Sequence, residues 1–155
     1  MSKSTTSCVD VASYVVETRG AFTSSNMHRL LYYCYAWHLV WYDEPLFEEK
    51  IEAWASGPIV RSFWDLHAGR YTIGEKDEFL KTNYALTPEQ KETVHSVFDF
   101  YVPRFNAEYL AHLSMSENPW RTARSGLKNT ERGNSIIKDE WMKDYYSSIK
   151  TEIQK

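Results

Sequence analysis

The sequence predicts a mainly α protein: a single compact helical domain of about six helices, with a small β-hairpin inserted after the second helix. Apolar residues recur at helical spacing along most of the chain, whereas strand-like runs are short and few. No internal repeat, low-complexity tract or interdomain linker divides the 155 residues. A chain of this length is expected to form one domain that buries a substantial core.

The first helix is predicted to begin after Ser7, which stands at capping-box spacing from Asp10. Gly20 suits the position just past its C-terminus, where φ is often positive. Residues 1–6 are expected to be frayed. The predicted core stripe of this helix consists of Cys8, Ala12, Val15 and Val16.

The second helix is expected to be the most buried element, and the chain is organised around residues 29–64. Thr23, Ser24, Ser25 or Asn26 could cap its start, and Pro45 is expected to end it. Other apolar residues widen its stripe until nearly the whole circumference is apolar, as in a helix inside a domain. The stripe consists of Met27, Leu30, Leu31, Cys34, Trp37, His38 and Trp41.

The hairpin is predicted from two short apolar runs on either side of the charged residues 48–50. Leu46 and Phe47 form the first run, and residues 51–54 form the second. Gly57 and Pro58 are interpreted as a break. A third helix is then predicted from the spacing of Ile59, Val60, Phe63, Trp64 and His67.

The second half of the chain begins with a loop, in which residues 71–73 could form a short strand. Thr87, Pro88 and Gln90 form a strong helix start, and Pro103 is expected to end that helix. Asn106 can cap the next helix. The residues predicted to face inward there are Tyr109, Leu110 and Leu113.

Pro119 and Trp120 are predicted to open a further helical turn. Residues 129–134 are polar and are interpreted as a loop. A final helix is predicted from residue 136 to about residue 153.

Composition argues against several classes of protein. The net charge is −3, whereas a protein that grips a phosphate backbone is usually basic, so nucleic-acid binding is not favoured. Cys8 and Cys34 belong to no Cys-x-x-Cys pair and are interpreted as small buried residues in a reducing cytoplasm. The chain has no signal-peptide core and no run long enough to span a bilayer.

The sequence offers no catalytic, cofactor-binding or metal-binding constellation. No pair of histidines has the spacing of a helical zinc site, and no glycine-rich phosphate loop occurs. His38 is interpreted as a core histidine and His28 as a surface residue. Neither an enzymatic activity nor a cofactor is expected.

The candidate binding residues fall into two groups. The first surrounds the hairpin, where Trp54 should point away from the face formed by Ile51 and Ala53. The second is a basic patch beside Trp120, which could face phosphate or an acidic patch on a protein. The alternatives are that the tryptophans pack on the main helix and that the patch is a solvated loop. The candidates are Glu52, Trp54, Pro58, Arg61, Trp64, Trp120, Arg121 and Arg124, with Lys128 and Arg132 completing the patch.

The region around the second helix and the hairpin resembles the Panacea antitoxin domain, also described as SocA-like. The family's core run reads roughly Lys-Leu-Leu-Tyr-Tyr, Trp-His-Leu, Pro-Leu-Phe, Ile-Glu-Ala-Trp and Gly-Pro-Val. This chain has the same runs in the same order and spacing at residues 29–33, 37–39, 45–47, 51–54 and 57–59. A weaker similarity continues at Pro119 and Trp120 and in the segment from Ile136 to Tyr146.

The chain departs from the family pattern at four positions. His28 and Tyr35 each replace a glutamine, and Trp64 replaces a tyrosine. Met115 stands where the family usually has a histidine.

The resemblance implies an antitoxin that binds and neutralises a cognate toxin protein. Toxins of such systems are diverse and include small alarmone-synthetase-type enzymes that block translation. Two alternatives remain open at this point. One is a proteolytic adaptor that delivers a toxin to a protease, and the other is a nucleic-acid-binding regulator.

Overall fold

The computed structural model describes residues 6–149 and 153, and within them the chain forms seven helices and four short strands. The mainly α fold with a small hairpin after the second helix is confirmed. In chain order the elements are α1 (Cys8–Arg19), β1 (Phe22–Thr23), α2 (Ser24–Tyr42), β2 (Ile51–Trp54), β3 (Gly57–Val60), α3 (Arg61–His67), β4 (Thr72–Ile73), α4 (Pro88–Arg104), α5 (Ala107–Ser116), α6 (Asn118–Ala123) and α7 (Asp139–Ser148).

Helix α2 lies at the centre of the molecule and packs against α1, α4, α5, α7 and strand β3. Its residues from Leu30 to Leu39 are all buried, so the predicted apolar circumference is confirmed. Leu31 is fully buried, and Trp37 is 3% exposed. Cys34 and Cys8 are buried free thiols, as expected, and burial raises the pKa of both.

The predicted caps are confirmed at three helices. Ser7 and Asp10 form a reciprocal capping box at α1, and Thr87 and Gln90 form one at α4. The side chain of Asn106 accepts from the first turn of α5. Each cap provides partners for backbone N–H groups that lack an intrahelical acceptor.

The start of the chain differs from the expectation at Thr6, which is buried rather than frayed. Its carbonyl accepts from the Glu48 backbone, and its hydroxyl accepts from the Gln90 side chain at 3.0 Å. Residues 1–5 lie outside the described part of the chain.

The hairpin consists of β2 and β3, which pair antiparallel from Ile51 opposite Val60 to Trp54 opposite Gly57. The prediction that Leu46 and Phe47 form one of its strands is wrong. Both residues lie in bends after α2 rather than in a strand, and their apolar side chains are fully buried in the core. Gly57 and Pro58, interpreted as a break, instead belong to β3.

The free edge of β2 pairs with a segment that precedes α7. The backbone of Ala53 donates to Ser135, and the backbone of Ile137 donates to Ile51, each at 2.8 Å. Residues 136–138 are therefore not helical, and the predicted final helix begins only at Asp139. It ends at Ser148, and the rest of the predicted helix falls largely outside the described residues.

Two further boundaries and one side-chain orientation differ from the predictions. Ile59 and Val60 belong to β3, so α3 begins at Arg61. Helix α4 passes through Pro103 and ends at Arg104, one residue beyond the predicted end. Tyr109 is 51% exposed rather than inward-facing, and its ring stacks on Phe105.

The core contains a buried carboxyl group surrounded by tyrosines. Glu117 Oε1 accepts from the Tyr33 hydroxyl at 2.8 Å and from the Tyr146 hydroxyl at 2.7 Å. The Tyr146 hydroxyl also lies 2.9 Å from that of Tyr32. Burial raises the pKa of Glu117, while the two accepted hydrogen bonds oppose that rise. This network joins α2 to α7 through the residue that precedes α6.

Candidate partner-binding surface

The alternation of strand β2 sets up the candidate surface. Ile51 and Ala53 are buried, whereas Glu52 and Trp54 are half-buried on the opposite side of the strand. Successive side chains of a strand point to opposite faces, so the two groups separate as expected. Helix α3 follows β3 directly and brings Arg61 and Trp64 alongside.

Four candidate residues come together here, and we call Glu52, Trp54, Arg61 and Trp64 the hairpin surface. The rings of Trp54 and Trp64 meet edge to face, with centroids 5.3 Å apart. The Arg61 guanidinium lies 5.2 Å from the Trp54 ring centroid, within cation–π distance. Trp64 is 37% exposed, so much of this aromatic pair faces solvent.

The polar groups of the hairpin surface are bonded to one another. Trp54 Nε1 donates to Glu52 Oε1 at 2.8 Å, and Arg61 approaches the same oxygen at 3.5 Å. The side chain of Arg61 remains 46% exposed, whereas that of Glu52 is 17% exposed. The surface is therefore ordered before any partner arrives, which lowers the entropic cost of binding.

Three candidates lie inside the protein instead. Pro58 is buried in β3 opposite Ala53, because the hairpin packs this strand on α2 and α5. Trp120 is 2% exposed, and its Nε1 donates to the Trp54 carbonyl at 2.8 Å. Arg124 is 4% exposed. Because these three residues are buried, the structure does not support direct contact between them and a partner.

Arg124 is buried, and backbone carbonyls accept from both of its terminal guanidinium nitrogens, whereas its Nε has no hydrogen-bond partner among the described residues. Arg124 donates to the Ala53 carbonyl and the Lys128 carbonyl, each at 3.0 Å, and to that of Glu131. Its guanidinium also lies 5.0 Å from the Trp120 ring centroid. The predicted basic patch is thus divided, with Arg124 inside and Arg121, Lys128 and Arg132 exposed.

A groove of about 470 Å³ opens beside the hairpin tip. One wall comes from the hairpin and α3, and the other comes from the loop before the 135–137 segment. Nothing in the sequence indicates that Arg132 lies near the hairpin. The two regions are far apart in the chain, and the pairing of residues 135–137 with β2 brings them together. The lining residues are Trp54, Ala55, Ser56, Arg61, Arg132, Gly133 and Asn134.

A buried histidine pair lies behind α3. His28 was expected at the surface, yet it is 1% exposed, and His67 is fully buried. His28 Nδ1 accepts from the Val60 backbone at 3.1 Å, so the proton of the neutral ring is on Nε2. That Nε2 lies 3.0 Å from His67 Nε2, which must therefore be the acceptor.

The pair favours neutral rings and supports the position of Trp64. Burial lowers the pKa of His28 to about 3 and also lowers the pKa of His67. The His67 ring contacts the Trp64 ring edge to face at 5.0 Å. The helix that presents Trp64 is thus fixed by hydrogen bonds that the sequence spacing did not reveal.

Within residues 6–149 and 153, no three His, Cys, Asp or Glu side chains are grouped so that they could hold a metal ion. His38, interpreted as a core histidine, is fully buried, and its Nδ1 lies 2.7 Å from the Thr93 hydroxyl.

Over the same part of the chain, no helix has the length and apolar character needed to cross a membrane.

Comparison with known proteins bears on the region that carries this surface. A profile of the family described as antitoxin SocA-like, Panacea domain, matches residues 27–121. Neither a curated protein nor a solved structure is significantly similar to the chain. The match spans more than half of the chain and includes the whole hairpin surface, so the protein belongs to the SocA-like, Panacea-domain antitoxin family.

Proposed function

We propose that the protein neutralises a cognate toxin protein by binding it directly through the hairpin surface. Membership of an antitoxin family supports a toxin as the partner in general. The observation that favours this surface is the partly exposed tryptophan pair, with a half-exposed arginine stacked on one ring. Tryptophan and arginine are enriched among the residues that dominate binding energy at protein interfaces.

The exposed apolar area of Trp64 supports the same surface. Its side chain, on α3, is 37% exposed. Burying apolar surface contributes roughly 25 cal/mol per Å², so covering this ring would favour complex formation. Neutralisation then follows from occlusion of the toxin's active or substrate-binding face.

We further propose that this action requires no catalytic turnover by the antitoxin itself. The toxin is expected to be the product of a neighbouring reading frame, and a small alarmone-synthetase-type translation inhibitor is one candidate class. Such a toxin acts in the cytoplasm, so the proposal places the antitoxin there as well.

A co-expression growth assay tests the proposal. Cells expressing the toxin of the neighbouring reading frame receive the wild type, Trp64→Ala or Arg61→Glu. Arg61→Glu reverses a charge at the rim of the surface, and Trp64→Ala removes the more exposed ring. Lys76→Glu makes the same charge change as Arg61→Glu at an exposed loop residue outside the surface and serves as the matched control.

We expect the wild type and Lys76→Glu to restore growth, and both surface variants to protect less well. Loss of an aromatic interface residue that dominates binding costs about 2 kcal/mol or more, equivalent to a roughly thirtyfold loss of affinity. Thermal melts run in parallel must show that the variants are folded. Full protection by folded Trp64→Ala and Arg61→Glu would contradict the proposed surface.

A further inference from the structure

We propose that the groove beside the hairpin tip binds an acidic segment of the partner protein, with aspartate or glutamate carboxylates placed between Arg61 and Arg132. This inference rests on the proposed function, because it names the chemistry of the partner at the same surface. It adds Arg132 to the residues expected to contact the toxin.

The charge of the groove is the first argument. Arg61 and Arg132 both line it, although the protein as a whole carries a net charge of −3. Arg132 is exposed, and within the described part of the chain it has neither a hydrogen-bond nor an ion-pair partner. A concave site with two arginines is suited to carboxylates, which guanidinium groups bind with paired hydrogen bonds.

A third arginine lies beneath the hairpin tip. Arg29 Nη2 is 3.5 Å from the Ser56 carbonyl, and its Nε is buried without a hydrogen-bond partner. Ser56 lines the groove, so this cation lies next to a lining residue and adds to the positive potential there. The carboxylate of a partner would meet a field from three guanidinium groups.

The nearby acidic side chains offset only part of this field. Glu52 pairs with Arg61 at 3.5 Å and so offsets part of the Arg61 charge, whereas Arg132 has no counter-charge among the residues that the structure describes. Glu131 accepts from the Lys128 backbone at 3.0 Å and does not line the groove. An occupant with negative charge therefore completes the site.

The surroundings favour a protein over a nucleic acid. Trp54 and Ala55 form an apolar part of the wall, which suits the methylene groups of a glutamate side chain. The partly exposed Trp64 lies on the adjoining helix α3, where a phosphate backbone would leave its ring uncovered. Duplex DNA is accordingly an alternative that the experiment must exclude.

The test measures association of the purified full chain with the immobilised toxin at about 50 and about 300 mM salt. The variants are Arg132→Glu, Arg132→Lys and, for the aromatic pair, Trp64→Ala. We expect Arg132→Glu to slow association by about tenfold at low salt and to lose most of the salt dependence. Arg132→Lys keeps the charge, so its association rate should remain within about threefold of the wild type, although lysine cannot reproduce the paired hydrogen bonds of a guanidinium group.

Competition identifies the ligand chemistry. Hexaglutamate should reduce toxin binding to the wild type but not to Arg132→Glu, whereas the uncharged peptide hexaglutamine should have no such effect. The inference is overturned if Arg132→Glu associates like the wild type while Trp64→Ala is impaired, a result that leaves the proposed function standing. It is also overturned if duplex DNA binds the groove in an Arg132-dependent way and hexaglutamate does not compete. Failure of the wild type to bind the toxin would instead contradict the proposed function, and this inference with it.

Discussion

The guanidinium group of Arg124 holds the hairpin to the loop that forms the opposite wall of the groove. It bonds to a carbonyl of β2 on one side and to the Lys128 and Glu131 carbonyls on the other. Trp120 reinforces the same junction by donating to the Trp54 carbonyl. These two buried residues support the hairpin surface from behind.

Arg124→Ala is expected to lower the free energy of unfolding by about 3 kcal/mol, because several buried carbonyls lose a charged donor together. Arg121→Ala, at an exposed position in α6 just before Arg124, should change it by less than about 0.5 kcal/mol. Urea melts of both variants measure the difference. Equal midpoints for the two would show that the buried bonds of Arg124 contribute nothing net.

The histidine pair predicts a dependence of stability on pH. The folded-state pKa of His28, about 3, lies below its ordinary value of 6.5, and the pKa of His67 is also lowered. The unfolded chain therefore binds more protons below pH 6.5, and stability is lost as the pH falls from there towards 3. For His28 the loss between pH 7 and 5 is about 2 kcal/mol.

Urea melts at pH 7 and pH 5 should show this loss in the wild type and in the control His112→Gln, whose side chain is exposed. The double variant His28→Asn, His67→Gln should lose about 2 kcal/mol less than the wild type between the two pH values, whatever its stability at pH 7. His38, whose pKa burial lowers to about 4, is unchanged in every variant and continues to contribute a loss. Glu117 has a raised pKa and contributes with the opposite sign, so the comparison is made between variants. An unchanged pH dependence in the double variant would refute the assignment.

Among the elements, α2 contributes most to the core. Its side chains contact helices on several sides, which is why its sequence is apolar around nearly the whole circumference. This property could be predicted, because helical periodicity and burial leave a strong pattern in a nineteen-residue helix. The caps of α1, α4 and α5 could also be predicted, because each cap is formed by residues only three positions apart in the sequence.

Leu31→Ala and Trp37→Ala are each expected to destabilise the protein by about 2–5 kcal/mol, since both side chains are buried in α2. Leu66→Ala removes a side chain of the same size as Leu31 from an exposed position and should have little effect. Chemical denaturation compares the three variants. A wild-type midpoint for Leu31→Ala would be incompatible with the central place of α2.

The strand pairings were harder to predict than the helices. The hairpin was expected in the correct place, but one of its strands was assigned to Leu46 and Phe47, which are apolar for reasons of packing alone. The pairing of β2 with residues 135–137 joins segments more than eighty positions apart, and no local pattern marks it. Short strands carry too few residues for alternation to separate them from buried bends.

At the scale of the whole molecule, the candidate surface was partly predictable. The alternation in β2 correctly separated Trp54 from the buried face, and Arg61 and Trp64 followed from their closeness in sequence. The burial of Trp120 and Arg124, and the position of Arg132 beside the hairpin, depend on long-range pairing. A one-dimensional pattern cannot distinguish an arginine bonded to distant carbonyls from one in solvent.

The central claim is that the hairpin surface binds the toxin directly. The most direct measurement is calorimetric titration of the purified toxin of the neighbouring reading frame with the wild type and with Trp64→Ala. The account predicts a stoichiometric complex for the wild type and an affinity lower by roughly thirtyfold or more for the folded variant. Equal affinities for the two, or no heat of binding for a wild type that protects cells, would contradict it.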